Sequence, residues 1–183
     1  VRVRGIDNAT RIEGGVYHFC ALRSDDSVSC WGRGYEAQVA NDATRMSSYA
    51  TPEPVSGGSD IIDVAVGGYT TCMLKSDGTV VCYGYNYHGE MGMGTRNNAE
   101  GQDRWRVNST PIPNLTGVVE IAAGYRHFCA RKGDGSAYCW GYGAHGQVGD
   151  GSRGLQPTPL RVPEINDFRS LWKGGVSYMS CGS

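Results

Sequence analysis

No run of eighteen apolar residues occurs in this chain, so nothing in it reads as a membrane-spanning helix. Clustered charge is also missing. Lys plus Arg number 17 and Asp plus Glu 18, and no block of one sign runs along the 183 residues. That excludes the basic footprint of a nucleic-acid binder and the polybasic patch of a membrane-surface protein, so neither partner is expected. The N-terminus lacks a charged segment followed by an apolar stretch, so a secreted origin requires a signal peptide lying outside this stretch. There is no Gly-x-Ser-x-Gly elbow and no phosphate-cradling glycine loop at a helix start. Gly133-Asp134-Gly135 and Gly149-Asp150-Gly151 read as turns, because a calcium loop needs several more oxygen ligands. Asp25-Asp26 lies on an exposed turn, where no burial tunes a pKa. No catalytic residues, metal site or cofactor are expected, and the chain does not read as an enzyme.

Two residue types are conspicuous instead. Glycine fills 28 positions, roughly twice the usual ~7% share, which demands turns or close backbone approach. Seven cysteines stand at 20, 30, 72, 82, 129, 139 and 181. Six form pairs ten apart, and the first of each pair recurs at steps of 52, 57 and 52 residues, ending at Cys181. A fixed period of this size signals a propeller or solenoid. The surrounding text repeats too. His18-Phe19-Cys20-Ala21 matches His127-Phe128-Cys129-Ala130, and Cys30-Trp31-Gly32, Cys82-Tyr83-Gly84 and Cys139-Trp140-Gly141 correspond. His88-Gly89-Glu90-Met91-Gly92 and His145-Gly146-Gln147-Val148-Gly149 follow, with Glu36-Ala37-Gln38-Val39-Ala40 a degenerate copy. The predicted units are about 14–66, 67–123 and 124–174, with a further one starting at 175–183, in a single region 1–183. Each closes on a variable insert, a Pro-bearing segment and a short apolar strand.

A hairpin centred on Asp77 sets Cys72 opposite Cys82 and Leu74 opposite Val80. Its three-residue loop Ser76-Asp77-Gly78 suits a type I turn ending in a left-handed position, which glycine favours. Gly133-Asp134-Gly135 repeats the design, while Ser24-Asp25-Asp26 puts Asp where Gly is easier. Residues directly opposite on paired strands lie within disulfide reach. Phe19, Trp31, Tyr83, Phe128, Tyr138 and Trp140 fill the other face, so both faces are apolar, as in sheets stacked radially.

These residues resemble the repeats of the regulator of chromosome condensation family. Gly124-Tyr125-Arg126-His127, Asp134-Gly135, Trp140-Gly141 and Gly146-Gln147-Val148-Gly149 follow its order, and the resemblance covers roughly residues 11–183. It implies an all-β β-propeller of blades of about fifty residues, four strands each, usually seven to a ring. About three and a half blades are present here, a partial or half propeller. The cysteine-paired variant looks like secreted bacterial members described as alpha-tubulin-suppressor-like, and is similar to propellers of plant receptor ectodomains. Three readings of the length stand open: a fragment of a longer chain, half of a ring completed by a second copy, or an open unit in an assembly.

Facing cysteines in three hairpins favour disulfides Cys20–Cys30, Cys72–Cys82 and Cys129–Cys139, leaving Cys181 unpaired. They imply an oxidising compartment, hence an extracellular or cell-surface setting. The alternatives are buried reduced thiols and zinc, the latter poorly served by this spacing. Asn8, Asn108 and Asn114 head glycosylation triplets if the source is a eukaryote. His18, His88, His127 and His145 fall at repeat positions and read as structural. Binding is expected instead from the inserts, about 41–56, 93–112 and 150–160, above all Arg104-Trp105-Arg106, and from Tyr35, Tyr85, Tyr87 and Tyr142 just after the hairpins. The expected function is a non-catalytic scaffold binding a protein partner or further copies of itself. A carbohydrate-binding module taking glycans is one alternative, and a guanine-nucleotide exchange factor, as the founding member of the family is, another.

Overall fold

The computed structural model describes residues 3–39, 47–96, 105–107, 110–163 and 167–171. Twelve strands form three four-stranded antiparallel meanders, and no helix occurs among the described residues. The first blade holds β1 (Ala9–Gly14), β2 (His18–Arg23), β3 (Val28–Arg33) and β4 (Ser48–Pro54). In the second are β5 (Ile61–Val66), β6 (Thr70–Lys75), β7 (Val80–Tyr85) and β8 (Trp105–Val107). The third comprises β9 (Val118–Ala123), β10 (His127–Lys132), β11 (Ala137–Tyr142) and β12 (Leu155–Arg161).

The hairpin register is the one expected. Cys20 faces Cys30, Cys72 faces Cys82 and Cys129 faces Cys139, each pair bonded, and Leu74 faces Val80. Gly78 and Gly135 take the left-handed turn position at φ +79° and +83°, and Asp26 takes it at +59°. An aspartate adds a second lock to every turn. Asp25, Asp77 and Asp134 each accept both the backbone N–H and the hydroxyl of Ser27, Thr79 and Ser136, two residues on. Those hydrogen bonds hold all three carboxyls below their ordinary pKa. The Trp-Gly and Tyr-Gly pairs answer to close approach. Gly84 sits at φ +119°, and a Cβ there would lie 2.3 Å from the Tyr69 carbonyl oxygen; Gly141 repeats this against Arg126.

Two sequence expectations take a different form. Ile61–Val66 and Val118–Ala123 open blades rather than close them, because each pairs with the hairpin that follows. The inserts are not free loops throughout. Parts of all three form the outer strands β4, β8 and β12, where Pro52, Pro54, Pro157 and Pro159 are tolerated because these strands pair on one side only.

The two faces of a blade have different neighbours. Cys20 and Cys30 pack against Val64, Met73, Val81 and Tyr83 of the second blade. Cys72 and Cys82 pack in turn against Ile121, Phe128 and Trp140 of the third. The first two disulfide faces thus meet the aromatic face of the next blade. The innermost strands are stitched as well. Asp63, buried, accepts from Arg11 of the first blade at 2.7 Å and from the Ile121 N–H of the third at 3.1 Å. Glu120 repeats this role toward Leu171 N–H, 51 residues on.

Candidate functional site

Antiparallel pairing brings the β1–β2 and β3–β4 connections of every blade to the same end of its sheet. One side of the propeller therefore displays the residues just before the first hairpin strand and just after the second. Tyr17 and Tyr69 lie at the first position, beside Tyr125 and Arg126 in the third blade. Arg33, Tyr85 and Tyr142 end the second hairpin strands, with Tyr35 and Tyr87 two residues on.

These side chains form one continuous strip. Ring centroids of Tyr17 and Tyr69 are 4.9 Å apart, Tyr69 and Tyr85 5.9 Å, and Tyr69 and Tyr125 6.1 Å. Tyr85 and Tyr87 stack at 6.1 Å, and His88 bridges Tyr87 to Tyr142, 5.0 Å from each. Tyr142 then touches His145. Arg33 lies over Tyr17, Tyr35 and Tyr69, and Arg126 over Tyr69 and Tyr125. The Tyr69 pKa is raised, first by its hydrogen bond with the Tyr17 hydroxyl, then by burial and the Tyr125 hydroxyl. A cleft of about 190 Å³ opens here, lined by Arg33, Glu36, Tyr69, Tyr85 and Arg126.

The structure brings together four of the expected binding residues, Tyr35, Tyr85, Tyr87 and Tyr142. Trp105 and Arg106 lie on edge strand β8, with the Trp105 backbone paired to Tyr85 and that of Arg106 to Gly84. Arg104, Asn108 and Cys181 fall outside the described residues. Asn114 is exposed at φ +62°, beside a second cleft of about 250 Å³ that includes Leu115 and Tyr138. Asn8 is half-buried and accepts from Arg23. Sequence reasoning missed Tyr17, Tyr69, Tyr125, Arg33 and Arg126. Their signal was partial: Tyr17 and Tyr69 share one repeat position, which Arg126 takes in the third blade, and Arg33 follows the repeat glycine as Tyr85 and Tyr142 do.

The histidines divide into two kinds. His18 and His127 are buried, and burial pushes their pKa values down to about 3 and about 4. His18 Nε2 meets the Thr71 hydroxyl of the next blade at 2.7 Å, and that hydroxyl donates to the Gln38 carbonyl. The His18 contact is a joint between the first and second blades. His88 belongs to the strip. Among the described residues no group of three or more His, Cys, Asp or Glu is placed to hold a metal ion.

The fold is a β-propeller of repeated blades, and one side of it carries an aromatic, arginine-bearing face. The regulator of chromosome condensation (RCC1) repeat matches residues 9–38, 61–90 and 118–147, and a second profile of that repeat matches 134–183. The chain belongs to the RCC1 repeat family. It is 29% identical over 92% of its length to the human probable E3 ubiquitin-protein ligase HERC6, and spans 16% of that protein. Against the ultraviolet-B receptor UVR8 of Arabidopsis thaliana it is 28% identical over 93% of its length and spans 36% of the receptor. The crystal structure of Prp20p from Saccharomyces cerevisiae, a protein described with binding to Gsp1p and histones, superposes with a TM-score of 0.82 at 22% identity. That match covers 97% of this chain and 44% of the yeast one. The chain thus spans less than half of each of these relatives.

Proposed function

We propose that this chain is part of a non-catalytic propeller that binds a protein partner through its tyrosine–arginine face. The observation that carries the reading is the continuity of the strip, from Tyr17 through Tyr69, Tyr85 and His88 to Tyr142, across three blades on one side. Tyrosine and arginine supply contact area at low conformational cost together with directed hydrogen bonds, and they dominate binding hot spots. Three disulfides support an oxidising, extracellular or cell-surface setting. The test is site-directed photo-cross-linking. A benzophenone side chain at Tyr87 should capture a partner that the same group at Thr79, on a hairpin tip, does not; equal capture from both positions contradicts the reading.

Self-assembly has its own supporting observation. Phe128 and Trp140 are 1% and 0% exposed because the second blade covers them, whereas their counterpart Phe19 is 46% exposed, with Ile12 and Val16 also open. This first-blade face has the composition of a covered one. Sedimentation across a concentration series tests it. Association abolished by Phe19→Glu supports docking of a further copy, and a monomer at all concentrations opposes it.

A further inference from the structure

Resting on the reading of the tyrosine–arginine face as a protein-binding surface, the geometry points to Arg126 as the docking point for a carboxylate side chain of that partner. The two arginines of the strip differ in how they are satisfied. Arg33 is neutralised at home, its Nη2 and Nε donating to the two Glu36 oxygens at 2.7 and 3.0 Å. No carboxylate among the described residues lies within ion-pair distance of Arg126. Its contacts are the Tyr125 and Tyr69 rings, 5.0 and 5.9 Å from Cζ, and the His88 ring nitrogen Nε2 at 3.3 Å.

The reason lies in one repeat position. Glu36 in the first blade is replaced by His88 in the second, so the loop that supplies Arg33 with an anion supplies Arg126 with an imidazole. A guanidinium only donates, so His88 Nε2 accepts, and the imidazole proton sits on Nδ1. That proton goes to Glu90 Oε1 at 2.9 Å, while Glu90 Oε2 accepts the His88 backbone N–H at 2.8 Å. The acid of this loop is therefore spent on fixing His88. Arg126 is held by aromatic rings and an imidazole acceptor, and no carboxylate among the described residues compensates its positive charge.

The adjoining cleft sets the size and charge of what fits. At about 190 Å³ it takes a side chain rather than a folded element. A planar guanidinium matches the two oxygens of a carboxylate. Beside the already neutral Arg33–Glu36 pair Arg126 offers one positive charge, which a monoanionic carboxylate balances and a dianionic phosphate exceeds.

Fluorescence anisotropy at low salt tests this with labelled hexaglutamate, hexaglutamine and a phosphoserine-bearing hexapeptide. Hexaglutamate should bind at least about tenfold more tightly than hexaglutamine, as expected of a charge-assisted pair. Arg126→Gln should remove that preference and Arg126→Lys only part of it, both with unchanged circular dichroism. Lys75→Gln, which removes a positive charge at the hairpin turn at the other end of the second sheet, should keep the preference for glutamate over glutamine. Equal binding of glutamate and glutamine peptides, a preference untouched by Arg126→Gln, or tighter binding of the phosphopeptide would each overturn the assignment. If both peptides bind equally and Tyr85→Ala/Tyr87→Ala abolishes both, the carboxylate assignment falls and the face stands as a binding surface. Binding of neither peptide overturns the assignment alone, because the cross-linking test of the face does not use these probes.

Discussion

The indole nitrogen of Trp140 donates to the carbonyl oxygen of Glu90 at 2.8 Å, fifty residues earlier in the chain. Trp140 belongs to the hairpin of the third blade, and Glu90 to the loop that leaves the hairpin of the second. The contact thus explains two recurring motifs at once: the Trp-Gly after the second cysteine and the Gly-x-x-Gly loop that follows it. The loop of one blade caps the aromatic face of the next.

Trp140→Phe should therefore destabilise the fold by about 1–3 kcal/mol, because it leaves a buried carbonyl without its donor. Trp31→Phe, on the open first-blade face, should change stability by less than about 0.5 kcal/mol. Urea unfolding of the two variants checks the contrast.

Removing one disulfide should cost about 2–3 kcal/mol, the range expected for closing so short a loop. Cys72→Ala/Cys82→Ala is the informative pair, since both sulfurs are buried between the second and third blades. Alkylation before reduction should leave the six hairpin cysteines unmodified, and mass spectrometry after proteolysis reads this directly.

Acid should weaken the fold well before its carboxylates titrate. His18 and His127 have folded pKa values near 3 and 4, below the ordinary 6.5, because burial disfavours the cation. The unfolded chain takes up those protons first. Stability from this source is complete above pH 6.5, falls as pH drops, and levels off below the folded values, with a slope of about 1.4 kcal/mol per pH unit for each histidine. Unfolding free energies between pH 7 and 4 should show this slope, and His18→Asn should remove about half of it.

Asp26 holds a left-handed turn position that glycine fills in the other two hairpins. Asp26→Gly should stabilise the protein by up to about 1 kcal/mol, the cost of that conformation for a residue with a Cβ. Thermal melts compare the two chains.

The hairpins were legible in the sequence because a ten-residue cysteine spacing and an Asp-Gly turn leave one register that sets sulfur against sulfur. Phase was harder to read. Ile61–Val66 touches one unit in sequence and pairs with the next hairpin in space, and local pattern does not say which neighbour a short apolar strand joins. The outer strands were hidden by Pro52, Pro54, Pro157 and Pro159, residues that argue against strand except at an edge. Of the site, Tyr35, Tyr85, Tyr87 and Tyr142 could be singled out as aromatics after a hairpin. Tyr69 and Arg126 became meaningful only once three blades lay side by side, because the strip is built from residues some fifty apart that meet across blade boundaries.

The proposed function puts partner binding on this strip. A sharp measurement is affinity capture from the native source with the intact chain, its Tyr35→Ser/Tyr87→Ser variant, and a Ser24→Ala/Ser76→Ala control at two hairpin tips. All three should fold alike, since Tyr35 and Tyr87 are 45% and 38% exposed and both serines are exposed. A protein should be retained by the intact chain and by the control and lost from the tyrosine variant. Retention by the tyrosine variant, or loss from the control instead, would contradict it.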